Sequence, residues 1–118
     1  MELLSPDIRE QLLKNGQEQR KVRGTEKEHD FYPVVKLFTP DAQCTWLLTE
    51  LDPNDPDIAF GLCDLGMGFP ELGSARISEI EGIRGSLGLP AERDLFFKAD
   101  KPLSQYAKLA HEHQRIIA

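Results

Sequence analysis

Three parts of this chain hold residue types that can do chemistry. The first is the triplet His111, Glu112 and His113. Metal-binding histidine pairs on a helix stand at i and i+4, on one face. Two positions along a helix turn a side chain by about 200°, so these histidines point apart. The triplet reads as an exposed, charged helix end. The second is DPNDPD, residues 52–57, where Asp52 and Asn54 match the first two ligand positions of an EF-hand loop. Pro56 stands where the next ligand belongs, and the glycine such a loop needs is missing. The prolines suit a turn that blunts strand ends, so a turn is preferred over a weak cation site. The third is Gly66-x-Gly68, with Gly73 beyond it. Its spacing is wrong for a dinucleotide fingerprint, no long helix follows, and no GKS or GKT marks a phosphate loop. No metal-binding and no cofactor-binding residue is assigned.

Nucleophilic and acid–base chemistry have candidates too. Cys63 lies beside Asp64, but His29, His111 and His113 carry no signature of a cysteine–histidine enzyme. A free cysteine in a strand usually serves as a small apolar residue. Glu50, Asp52, Asp64 and Glu71 would act as paired carboxylates only at a defined separation around a substrate. Glu50 and Asp64 flank one hairpin and are candidate cross-strand neighbours, with Arg76 as the partner that relieves their repulsion. No catalytic residue is assigned. Glu50, Asp52, Asp55, Asp57, Asp64 and Glu71 together are the expected interaction surface.

The charge distribution points to the same segment. The 118 residues carry a formal net charge of −6. Residues 1–30 are nearly neutral, as are 73–118, while 31–72 hold seven acidic residues against Lys36 alone. A pI near 5.0 argues against a generic nucleic-acid binder, which needs clustered Lys and Arg. One domain is expected, spanning 1–118, with a core that needs neither disulfide nor metal. No apolar run reaches the ~18 residues of a membrane span. MELLSPDIREQ lacks the basic-then-apolar pattern of a secretory signal, so the cytoplasm is the expected compartment. There Cys44 and Cys63 are expected as free thiols.

The elements that must position these residues follow from local patterns. Residues 5–15 predict a helix with Ser5 as N-cap, Pro6 in its first turn and Asp7 at the positive end of its dipole, stopping at Gly16. Residues 17–30 contain one apolar side chain, Val22, and read as a mobile charged linker or a frayed helical extension ending at Gly24. The β-rich core with its C-terminal helix is expected over 31–118. Residues 34–38 read as a strand that could lie at an edge, then one turn of helix after Pro40. Residues 45–51 read as a central strand with Trp46 and Leu48 on one face and Leu47, Thr49 and Leu51 on the other. Residues 58–65 return as a hairpin, and 72–77 follow as a third strand. Ser78 and Glu81 match a capping box opening a short helix. Residues 95–98 suggest a brief strand. A helix opens at Pro102, with Leu103, Tyr106, Ala107, Ala110 and Ile117 on one face. The prediction is an α+β two-layer domain. It has an antiparallel sheet of four to five short strands, an N-terminal helix, a short middle helix and a C-terminal helix.

The stretch PVVKLFTPDAQCTWLLTELDPNDPDIAFGLCDLGMGFPELG, residues 33–73, resembles a family of small bacterial proteins, domain of unknown function 2958. ERDLFFKADKPLSQYA, residues 92–107, is similar to that family's C-terminal signature. The chain departs from it in its highly charged residues 17–30 and at Ser74, where relatives often carry an aromatic residue. The family has no established activity, so the resemblance implies no catalytic residue. It implies a setting, on plasmids, phages and integrated elements, where small proteins often serve conjugation, replication or defence evasion.

Three functions compete on these grounds. The first is a non-enzymatic protein-interaction module of a mobile element, with an unidentified protein partner. Its sharper form is an anti-defence (anti-restriction or anti-CRISPR) inhibitor that presents the acidic hairpin as a nucleic-acid mimic. The second is a small hydrolase-like enzyme with a site between Cys63 and Gly73. The third is weak nucleic-acid binding through Arg20, Lys21 and Arg23. Oligomeric state is not readable from the sequence.

Overall fold

The computed structural model describes residues 2–118. Helix α1 (Pro6–Val22) leads into strands β1 (Val35–Phe38), β2 (Thr45–Asp52), β3 (Asp55–Asp64) and β4 (Glu71–Arg76). Helix α2 (Ile77–Gly82), the two-residue strand β5 (Glu92–Arg93) and helix α3 (Leu103–His113) complete the order. All pairings are antiparallel, in the order β4-β3-β2-β1-β5. This is the α+β architecture the sequence predicts, with β2 at the centre. Residues 34–38 are not at an edge, because β5 pairs with Leu37 and Phe38.

The helices lie on both sides of the sheet, so the domain has three layers and not two. Successive strand residues point to opposite faces. One face carries Val35, Leu37, Trp46, Leu48 and Ala59 against Leu4 and Leu12 from the N-terminal segment and Ile77 and Ile80 of α2. The other carries Leu47 and Leu62 against Leu103, Tyr106 and Ala110 of α3. Burying each such leucine contributes roughly 1.5–3 kcal/mol.

Helix α1 begins as expected. Ser5 Oγ accepts from the Ile8 amide at 3.3 Å, and Pro6 and Asp7 occupy the first turn. It does not stop at Gly16 but runs one and a half turns further, ending just before Gly24, which has φ +79. So the start of the expected linker is helix, as its second reading allowed. The reason is a close approach. β1 pairs with β2 only as far as Leu48, which leaves the β2 edge beyond it open. Helix α1 covers that edge. Asn15 Nδ2 donates to the Thr49 carbonyl at 2.9 Å, and a Cβ on residue 16 would lie 1.9 Å from the Leu51 oxygen. Glycine here permits packing rather than ending the helix.

Strand β2 also departs from simple alternation. Leu48 pairs with Gly61 and Glu50 with Phe60, which leaves Thr49 as an extra residue. This bulge moves Leu51 onto the face of Trp46 and Leu48, contrary to the expected pattern, and turns Glu50 to the opposite face beside Phe60. Unbroken alternation would have aimed the Glu50 carboxylate into an apolar core. Gly61 makes room for the distorted strand, since a Cβ there would sit 2.0 Å from the Leu47 oxygen.

Other local expectations change for stated reasons. No helical turn follows Pro40, where Thr39 Oγ accepts from the Cys44 amide and closes a turn instead. Ser78 is not the cap of α2. Arg76 holds that position, and Ser78 gives its amide and hydroxyl to Asp57. Residues 95–98 are not a strand, and the pairing falls on Glu92 and Arg93. Helix α3 ends at His113, with Gln114 left-handed at φ 59, so Ile116 rather than Ile117 packs on the second core.

Candidate functional site

The bulge, the extra length of α1 and the start of α3 converge on one side chain, Glu50. It is 4 % exposed, and its side chain faces the second side of the sheet. Two hollows meet there, of about 340 and 350 Å³, sharing Arg23, Glu50 and Phe60. The first continues to Gln19, Glu28, His29, Phe31, Leu72 and Ser104. The second continues to Arg20, Asp52, Ile58 and Ser74.

The walls are held by polar contacts, which explains how a segment with so little apolar character stays in place. The Gln19 amide clamps His29, donating to its carbonyl and accepting from its N–H, both at 2.9 Å. Glu28 accepts from the Gly24 amide at 2.9 Å. Asp30 accepts from both the amide and the hydroxyl of Ser104, capping α3 from outside the helix. The Leu103 amide donates to the Phe31 carbonyl at 2.8 Å.

Glu50 Oε2 accepts from Arg23 Nη2 at 3.2 Å, while the arginine side chain is itself 62 % exposed. Glu50 Oε1 accepts no hydrogen bond within the described residues. Burial pushes the Glu50 carboxyl above its ordinary range. Arg23 and the Gln19 amide pull it back, and the nearby Glu28 and Asp52 carboxylates push it further up. A buried, shifted carboxyl in a concave site is the usual signature of a binding or proton-transfer position. It can pair with a cation, accept a hydrogen bond or hold a proton.

The other acidic residues do not join it. Glu50 and Asp64 are not cross-strand neighbours, since Asp64 pairs with Thr45 at the far end of the hairpin. Arg76 serves neither. It pairs with Asp55 at 3.2 Å and Asp57 at 3.6 Å. The Ser78 hydroxyl and amide, then Arg76, hold Asp57 below the usual carboxylate range. Asp52 Oδ1 accepts from Asn54 N at 2.8 Å and so builds its own turn. Asp64 is 4 % exposed and accepts from the Gly66 and Ile116 amides at 2.8 and 3.0 Å. Glu71, at the start of β4, is exposed, as is Asp52 at the end of β2. Of the six residues expected to form one surface, Glu50 and Asp64 are thus buried, on separate parts of the fold.

Asp64 also lines a cleft of about 570 Å³ with Lys36, Thr45, Arg115 and Ile116. Cys63, its sequence neighbour, points to the opposite face and packs against the first core. Burial pushes the Cys63 thiol up, away from the reactive thiolate. His111 and His113 are exposed on α3. Among the described residues, no three His, Cys, Asp or Glu side chains are grouped to hold a metal ion. No helix there is long and apolar enough to cross a membrane. Arg20 and Arg23 of the basic cluster are exposed and hydrogen-bond to Asn54 and Glu50.

The last feature is the β3–β4 loop. Leu65, Met67 and Phe69 are 53, 70 and 78 % exposed. Gly66 and Gly68 adopt φ +78 and +84, and Asp64 fixes the Gly66 amide. Only a glycine takes those angles without strain, so the turn throws the three apolar residues outward.

The fold and its hollows thus define a small α+β domain built on a five-stranded antiparallel sheet. A family model described as Protein of unknown function (DUF2958) matches residues 3–117, and the chain belongs to that family. No curated protein and no solved structure matches it.

Proposed function

We propose that this chain is a non-enzymatic protein-interaction module whose main contact is the β3–β4 loop. The observation that carries this is the exposure of Leu65, Met67 and Phe69 on one short, backbone-pinned turn. Large apolar side chains grouped in water mark contact surfaces. A loop already held in shape loses less entropy on docking. The family resemblance suggests a mobile element as the setting and a cellular defence component as one class of partner.

Within that reading, the apolar loop is better supported than charge mimicry. Duplex DNA presents one charge per ~1.7 Å of axis, and burial of Glu50 and Asp64 breaks up the acidic face that mimicry needs. The hydrolase reading loses its geometry, since Cys63 and Asp64 face apart. In the nucleic-acid reading one of the three cations, Arg23, is already paired with Glu50.

The test is affinity capture from the native host with the wild type, Met67→Glu and Phe69→Glu. Both variants should keep the urea midpoint within about 0.5 kcal/mol of wild type, as exposed positions do, and should lose the captured protein. Undiminished capture by both would refute the assignment of the loop.

A further inference from the structure

We propose that the hollow at Glu50 is a receptor for a guanidinium group, carried by an arginine side chain of the partner protein. The proposal rests on the reading of the chain as an interaction module and names a second contact for it.

The site has the three parts such recognition needs. The first is a carboxylate with one oxygen uncommitted within the chain and a hollow in front of it. Glu50 is almost fully buried, yet only Oε2 is engaged, by one nitrogen of Arg23. Carboxylate and guanidinium match best as a fork, with two parallel N–H···O bonds. The present contact uses one. The second is an apolar wall. Phe31, Phe60 and Leu72 line the hollow, and Leu72 is half exposed. A guanidinium is weakly hydrated and stacks on aromatic faces, which an ammonium does less well. The third is local charge. Glu28 and Asp30 line the same hollow and Asp52 the adjoining one, so with Glu50 four carboxylates face two arginines, Arg20 and Arg23.

Arg23 itself shows what the carboxylate accepts. It reaches Glu50 from the C-cap of α1 and remains mostly in solvent. Because the Arg23 side chain is itself mostly in solvent, an arginine delivered on a docked surface can take its place at the carboxylate. The site is also joined to the proposed contact loop through β4. Leu72 follows that loop in the chain and forms part of the hollow's wall.

The experiment is an amide-resolved NMR titration of the full chain at low salt. The probes are N-acetyl-arginine methylamide, its lysine counterpart and its neutral citrulline counterpart. The arginine probe should give saturable shifts confined to the backbone around Gln19, His29, Phe60, Leu72 and Ser104. The lysine probe should bind more weakly and citrulline not at all. Glu50→Gln should abolish saturation. Arg23→Ala, with folding confirmed by the dispersion of the same spectra, should tighten binding by up to about fivefold, because the competing cation is gone. Phe69→Glu should leave the titration unchanged. No saturable shift with arginine, equal response to citrulline, or no gain in Arg23→Ala would each overturn the receptor. If capture depends on Phe69 while the arginine probe fails, the receptor falls and the interaction reading stands. If the probe binds as described while capture ignores Phe69, the loop assignment falls instead.

Discussion

Gly16→Ala separates two accounts of helix α1. If Gly16 only terminated or weakened a helix, alanine would stabilise the protein by about 1 kcal/mol through helix propensity. The packing requires the opposite. An added Cβ would lie 1.9 Å from the Leu51 oxygen, where an unstrained carbon–oxygen contact needs about 3.3 Å, so the helix must retreat by about 1.4 Å. That movement stretches the 2.9 Å bond from Asn15 to the Thr49 carbonyl past its useful range. An unsatisfied buried carbonyl costs about 1–3 kcal/mol, and strain from an overfilled contact adds about 1–3 kcal/mol. Subtracting the propensity gain leaves a net loss of roughly 1–5 kcal/mol. Urea unfolding followed by the single buried Trp46 would read this as a midpoint lowered by at least about 0.3–1 M. Gly82→Ala is the control, because nothing lies within 4 Å of a Cβ there. An unchanged or raised midpoint for Gly16→Ala would refute the idea that α1 seals the β2 edge.

The Glu50 carboxyl sits above its ordinary value of 4.5, so the folded state keeps a proton that the unfolded chain has released. Its contribution to stability is present below the unfolded value and is lost as pH rises through the folded one, so Glu50→Gln should flatten the stability profile from about pH 4.5 upward. A profile unchanged in denaturant titrations would place the carboxyl in water after all. Asp64→Ala removes the acceptor for the Gly66 and Ile116 amides and should cost about 2–4 kcal/mol, with faster hydrogen exchange at both. Protection of Ile116 equal to wild type would count against that clasp. Cys63 should react slowly with iodoacetamide in the folded protein and fast in urea, since burial raises its thiol. Rapid native alkylation would reopen the nucleophile reading.

Strand and helix order were legible because the segments carry their own punctuation. Ser5, Pro6 and Asp7 mark the start of α1, and the prolines and aspartates of 52–57 mark the central turn. The expectations failed where a residue serves a distant contact. Gly16 looks like a stop until Leu51 is seen beside it. Ser78 looks like a cap until Asp57 takes its hydroxyl. The candidate site was half legible. Glu50 was among the acidic residues singled out, but nothing local places it apart from Asp52 or Asp64. The one available signal was the pattern of β2. Regular alternation puts Glu50 on the apolar face of Trp46 and Leu48, so a bulge before Glu50 was readable in principle. His29, Phe31 and Ser104 carried no signal, because polar clamps from Gln19 and Asp30 bring them to the site.

The negative charge of 31–72 takes a different meaning from these contacts. Taken as a surface property, it suggests an acidic face offered to a basic partner. The structure instead pairs much of it with groups from the flanking segments. Arg23 from the N-terminal part meets Glu50, and Arg76 from the C-terminal part meets Asp55 and Asp57. Asp64 is met by backbone amides of its own turn and of Ile116. The near-neutral flanks therefore carry the counter-charges of the centre. Internal pairing of this kind uses up a charge as a contact surface, except where a carboxylate keeps an oxygen uncommitted beside an apolar wall. Glu50 is the acidic residue of the centre that combines deep burial, a single weak cation and a hollow in front of it. That is why the search for a partner's basic group begins there rather than at the more numerous aspartates of the turn.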